Sequence, residues 1–122
     1  MSIKFADLNL DKNILSAVSS EGYESPTPIQ AQAIPFALEG RDIMASAQTG
    51  SGKTAAFLLP TLQKLTKRSE KPGKGPRALV LTPTRELAAQ VEKNALAYAK
   101  NMRWFRTVSI VGGASFGYQT RA

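Results

Sequence analysis

Apolar residues recur along this chain at two spacings. After Asp11, the residues Ile14, Leu15 and Val18 form an i, i+1, i+4 stripe that stops at Gly22, which predicts a first helix. Thr27-Pro28-Ile29-Gln30 then predicts a second: Thr27 suits the cap, Pro28 the first helical position, and Gln30 the place where a capping box puts its Gln. Pro35 lacks a donor and crowds the preceding turn, so this helix is expected to end near Ile34, with a short further helix closing at Gly40. Arg41 to Ser46 reads as a short strand, followed by a Gly-rich loop from Ala47 to Gly52 and a helix from Lys53 to about Lys67. Residues 69–76, rich in Pro, Gly and Lys, read as a surface loop. Ala78-Leu79-Val80-Leu81 is a continuous apolar run, the pattern of a strand covered on both faces. Helical spacing returns from Arg85 to about Lys100, with Leu87, Ala88, Val91, Ala95 and Ala99 on one side. Thr107 to Val111 gives a third strand, ended by Gly112-Gly113. Strands alternating with helices predict an α/β fold, a parallel sheet with flanking helices. Three strands make a small sheet, and nothing at Arg121-Ala122 marks a natural stop, so the chain is expected to be part of a larger domain.

Composition narrows the chemistry. Hydrophobic residues make up 43% and charged residues 20%, ordinary for a folded chain and too apolar for disorder. With no Cys and no His, disulfide scaffolds, Cys/His zinc sites, Cys nucleophiles and His-based triads are excluded. No apolar run approaches the ~18 residues of a membrane span. The N-terminus has no basic-then-apolar leader, so no membrane partner and a cytoplasmic location are expected. The 122 residues carry a net charge of +7, but unevenly: 4 − 6 = −2 over residues 1–63 and 12 − 3 = +9 over residues 64–122. That asymmetry points either to a polyanion partner or to a solvated basic surface.

The loop Ala47-Gln48-Thr49-Gly50-Ser51-Gly52-Lys53-Thr54 lies between a predicted strand and a predicted helix, the setting a phosphate-binding loop requires. Gly50 and Gly52 let the backbone wrap closely around phosphate, and the following helix points its positive end at the same anion. Lys53 brings a positive charge to the terminal phosphates, and Thr54 offers a hydroxyl to Mg²⁺. The general pattern has Gly where this chain has Ala47.

Taken together, these motifs resemble the DEAD-box RNA helicases, in which Ala is usual at the first position of the phosphate loop. Gly22-Tyr23-Glu24-Ser25-Pro26-Thr27-Pro28-Ile29-Gln30 is similar to the family's Q motif, with Phe5 as its isolated upstream aromatic, 22 − 5 = 17 residues before Gly22. Pro83-Thr84-Arg85-Glu86-Leu87-Ala88 is similar to motif Ia, and Gly112-Gly113 to the Gly-Gly motif. The resemblance implies the N-terminal part of a RecA-like domain, with residues 1–40 the Q-motif region and 41–122 the phosphate-loop and motif Ia region. It implies ATP and Mg²⁺ as cofactors and RNA as partner. Gln30 has a donor and an acceptor that match the N6/N7 edge of adenine and mismatch guanine; it equally suits a helix cap. Phe5 suits stacking on the base or anchoring the core. Pro83, Thr84 and Arg85 suit RNA phosphates; without the resemblance, Thr84 is a helix cap and Arg85 a solvated charge. Gly113 suits close approach of RNA, or a turn. Trp104 and Phe105 are assigned to packing.

The resemblance also implies parts that this sequence does not contain: an Asp-Glu-Ala-Asp motif holding Mg²⁺ and positioning water, a Ser-Ala-Thr motif, and a second RecA-like domain with arginine fingers. Asp7, Asp11, Glu21, Glu24, Glu39 and Asp42 all precede the phosphate-loop helix, and none ends a strand after it. The expectation is a nucleotide- and RNA-binding part of an RNA-dependent ATPase, inactive alone, partnered by the rest of the helicase and prone to self-association. The alternative is a non-catalytic binding module. A nucleotide kinase has no need of Phe5 and the Gly22 to Gln30 segment.

Overall fold

A computed structural model describes residues 3–47, 52–67, 76–103 and 105–110. A 3-10 turn, Phe5–Leu8, leads into four α-helices: α1 (Lys12–Ser20), α2 (Pro28–Leu38), α3 (Lys53–Leu65) and α4 (Arg85–Tyr98). Asp11 caps α1 by accepting the Asn13 N–H at 2.9 Å, and Thr84 caps α4 by accepting the Leu87 N–H at 3.1 Å. α2 closes on Gly40 at φ +86, with the Gly40 N–H on Ala37 O at 3.0 Å and the Arg41 N–H on Phe36 O at 3.2 Å. That paired geometry demands a left-handed residue, which Gly supplies without strain. α1 ends the same way at Gly22.

α3 is the hub. Its Ala55, Leu58, Leu59 and Leu62 are buried at i, i+3, i+4 and i+7, a stripe that packs with Ile14 and Val18 of α1 and Ile34 of α2 in one core. Ala95 and Tyr98 of α4, with Ala99 and Met102 beyond it, join the same cluster. Two long-range hydrogen bonds lace the N-terminal region to it. The Asp11 N–H donates to Gln63 Oε1 at 2.5 Å, and Asn101 Nδ2 donates to Asn13 O at 3.1 Å.

One expectation is corrected here and a second is not confirmed. α2 does not break at Pro35; it runs through to Leu38 with Pro35 inside it. The missing donor leaves the Ala31 carbonyl without its helical bond, a cost of about 3 kcal/mol in a helix interior. Burial of Ala33 and Ile34 before the proline, and of much of Leu38 after it, holds both halves against the core and offsets that cost. The predicted strands are not confirmed. Among the described residues, 41–46, 78–81 and 107–110 form no strand; Val111 lies outside them. Met44 is fully exposed, Leu81 is 84% exposed and Ile110 72%. A strand exists only by pairing its N–H and C=O groups with a neighbour, and these three segments do not pair with one another. The parallel sheet is therefore not formed among the described residues.

The buried Tyr98 hydroxyl gives the fold a pH signature. Burial, with the neighbouring Tyr23 and Glu21 adding to it, raises its pKa from 10.0 to about 12. The folded chain thus favours the neutral phenol more than the unfolded chain does. Its contribution to stability is complete below pH 10 and is lost as pH rises toward 12. Urea unfolding across that interval should show stability falling more steeply in the unsubstituted chain than in Tyr98→Phe; parallel profiles would contradict this.

Candidate functional site

The capping geometry of α2 fixes one buried side chain. Gln30 is 6% exposed, and its amide oxygen accepts the Thr27 N–H at 2.9 Å. The other end of the amide, Nε2, donates to Gly52 O at 3.0 Å, across 22 residues of sequence. Because Thr27 N–H can only donate and Gly52 O can only accept, the orientation of the amide is unambiguous. The reciprocal half of the capping box is loose: Thr27 Oγ1 faces the start of α2 but has no hydrogen-bond partner of good geometry.

Gly52 is the N-cap of α3 at φ +87, and its carbonyl also accepts the Ala56 N–H at 3.2 Å, so both lone pairs are used. The position has no room for a side chain. A Cβ there would lie 2.3 Å from Gln30 Nε2, 3.1 Å from Thr27 Oγ1 and 3.2 Å from Gln30 Cδ. Lys53 and Thr54 open α3, with the first N–H groups of the helix, its positive end, beside them. Lys53 is exposed and Thr54 half-buried.

Gln30, Gly52, Lys53 and Thr54 share one cavity of about 930 Å³ between α2, α3 and α4. It is lined by apolar Ala33, Ala56, Val80 and Leu81 and by Tyr23, Thr82 and Tyr98. Gln30 has used one acceptor and one donor, so one of each is left for a ligand, on an amide whose sense is already set. The arrangement can therefore distinguish a base edge offering a donor beside an acceptor from one offering two acceptors. Thr54 supplies one oxygen, a fitting ligand for Mg²⁺, which otherwise takes phosphate oxygens and waters.

Other sequence-predicted residues lie apart from this cluster. Phe5 is 5% exposed in the core, off the cavity wall, while its N–H donates to Glu24 O at 3.2 Å. Ala47, half-buried, is also off that wall. Pro83, Thr84 and Arg85 sit exposed at the start of α4, where Thr84 Oγ1 is engaged as the cap. Gln48, Thr49, Gly50, Ser51, Trp104, Gly112 and Gly113 lie outside the described residues. Sequence reasoning missed Tyr98.

Residues 27–122 match the family model of the DEAD/DEAH box helicases, and the chain belongs to that family. It is 51% identical to the ATP-dependent RNA helicase DeaD of Escherichia coli (strain K12) over 97% of this chain and 18% of that protein. It is 47% identical to the probable ATP-dependent RNA helicase DDX23 of Homo sapiens over 89% of this chain and 14% of that protein. Its structure superposes on the RNA helicase Prp28 from Chaetomium thermophilum, solved bound to ADP. The TM-score is 0.88 at 46% identity, over 99% of this chain and 30% of that one. The chain thus spans between about a seventh and a third of these relatives. None of the described helices is long and apolar enough to cross a membrane.

Gly52→Ala should cost about 1–2 kcal/mol from left-handed strain alone, and more from the collision with Gln30. In a double-mutant cycle with Gln30→Ala, measured by urea unfolding, the collision disappears and the two losses should fall short of additive. Strict additivity would contradict the contact.

Proposed function

We propose that this chain is the ATP- and RNA-binding beginning of a RecA-like helicase domain, and that the parent protein hydrolyses ATP in the presence of RNA and unwinds it. The observation that carries the reading is the Gln30 amide, oriented by Thr27 and Gly52, in one cavity with Lys53 and Thr54. Gln30 reads adenine, Phe5 stacks on the base, and Ala47, Gln48, Thr49, Gly50, Ser51 and Gly52 wrap the phosphates. Lys53 neutralises the terminal phosphates, and Thr54 holds Mg²⁺, which supplies further positive charge there. Phe5 belongs in this set because its N–H is moored to Glu24, in the segment that ends in Gln30. Pro83, Thr84, Arg85 and Gly113 hold RNA phosphates without reading sequence, supported by the +9 balance of residues 64–122. The segments with exposed Met44, Leu79, Leu81 and Ile110 supply strands of the parallel sheet when the rest of the domain pairs with them. In the isolated chain the same segments favour self-association. The location proposed is the cytoplasm.

Calorimetric titration tests the nucleotide site. The unsubstituted chain should prefer ADP to GDP by ~1–3 kcal/mol, the worth of a bidentate base contact, and Gln30→Ala should erase the preference. Equal affinities in the unsubstituted chain would overturn the reading.

Turnover is a separate matter. Lys53 and Thr54 can gather phosphates and metal, but binding the ground state and the transition state equally does not speed chemistry. Differential stabilisation of phosphoryl transfer commonly comes from an arginine finger, a group that contributes about 10³–10⁵ in rate. Steady-state phosphate release by the purified chain, with RNA and Mg²⁺, should equal that of Lys53→Ala. RNA-stimulated release that vanishes in Lys53→Ala would show the chain to be catalytic by itself.

A further inference from the structure

The positive excess of residues 64–122 is not gathered where the proposed RNA-holding residues stand: at the start of α4, Arg85 sits beside Glu86. Much of it lies at the opposite end of the helices, which contacts between distant segments bring together. The Asp11 N–H on Gln63 Oε1 joins the start of α1 to the end of α3. Asn101 Nδ2 on Asn13 O joins the chain just past α4 to the same start, and Arg77 Nη2 lies 3.5 Å from Lys64 O. Lys12, Lys64, Lys67, Arg77, Lys100 and Arg103 meet there, all exposed. Among the residues so joined, the one carboxylate is that of Asp11, which is engaged in capping α1. Among the described residues an ion pair forms between Arg41 and Glu39, and none of these cations has one. Helix dipoles account for part of the set. Lys64 stands in the last turn of α3 and Lys100 just past α4, where a cation meets the negative end of a helix. Lys12 is the reverse: it opens α1, at the positive end, where a cation is disfavoured. Like charges gathered without carboxylate partners also repel one another. Stability alone does not explain such an arrangement, whereas an anion bridging these side chains would relieve the repulsion.

We propose that this end of the helical layer is a second surface for RNA phosphates, separate from the start of α4 and from the nucleotide cavity. The inference rests on the RNA reading above and extends it to the far end of the same helices. α3 is 13 residues long and α4 14, so at 1.5 Å per residue roughly 20 Å separates the basic end from Lys53 and from Thr84. Exposed lysine and arginine side chains match a backbone of repeated negative charges and read no sequence. A protein partner is held chiefly through a few desolvated anchors in well-packed pockets, and these side chains are not in one.

Fluorescence anisotropy with a labelled oligouridylate, between about 50 and about 200 mM salt, tests this on the unsubstituted chain and on a neutralised variant carrying Lys12→Gln, Lys100→Gln and Arg103→Gln. All of these positions are exposed, so the fold should persist. The log–log salt slope should flatten by about 0.7 for each cation removed, about 2 in all, and affinity at about 0.1 M salt should fall roughly ten- to a hundredfold. ADP affinity should not change. A variant that keeps the charges, with Lys12→Arg, Lys100→Arg and Arg103→Lys, should bind RNA as the unsubstituted chain does, with the same slope. An unchanged slope in the neutralised variant overturns the second surface and leaves the RNA reading of Pro83, Thr84 and Arg85 standing. Absence of RNA binding by the unsubstituted chain overturns that reading itself. ADP affinity that falls in step with RNA affinity, or a charge-keeping variant that behaves like the neutralised one, overturns the role given to charge. Polyglutamate bound as tightly as the oligouridylate, with the same loss in the neutralised variant, overturns RNA as the occupant.

Discussion

One buried amide has to satisfy two backbone groups that belong to different parts of the chain. Gln30 accepts from Thr27 at the start of α2 and donates to Gly52 at the start of α3. Each bond is worth about 1 kcal/mol net, but losing the side chain would leave a backbone donor without its partner, a larger penalty. The bond to Gly52 is possible only because that residue has no Cβ, so the two helices approach at the one point where a side chain would block them. Packing follows from the approach. Ile34 of α2 and Leu59 of α3 are fully buried within a core that both helices share.

The helices were legible in the sequence because their signals are local. Asp11, Thr27 and Thr84 stand at caps, and Gly22 and Gly40 stand where a helix must turn left-handed. Such signals need only residues within one turn to act on. Pro35 misled for a complementary reason. Its local penalty is real, but the burial that outweighs it comes from α3, which no window around residue 35 contains. The segments 41–46, 78–81 and 107–110 read as strands, of which 78–81 is a continuous apolar run, but in the structure all three are irregular. What a run cannot encode is the presence of its partner. A ladder is a property of two segments, and the chain matches only 18% of the length of DeaD.

The site divides along the same line. Gly52, Lys53, Thr54 and Gln30 were legible because spacing and chemistry coincide: a phosphate loop and a capping box are both short-range patterns. Their meeting in one cavity was not written in either pattern, since 22 residues separate Gln30 from Gly52. Tyr98 was less visible still. A lone aromatic at the end of a helix carries no motif, and only burial turns its hydroxyl into a question about partners.

The capping role of Gln30 and the base-reading role proposed for it look like rivals, yet hydrogen-bond arithmetic lets them cooperate. A glutamine amide has two acceptor lone pairs and two N–H donors. The protein uses one of each, and by using them it removes the freedom of the amide to flip. An unanchored amide could present its two ends to a base in either sense, and would lose that freedom, at an entropic cost, on each encounter. An anchored one presents a fixed donor and a fixed acceptor, so a base with the opposite order meets two mismatches at once. On the proposed reading, selectivity comes from bonds made before any ligand arrives. The same backbone contacts that close the start of α2 and admit α3 are what give the remaining donor and acceptor a direction.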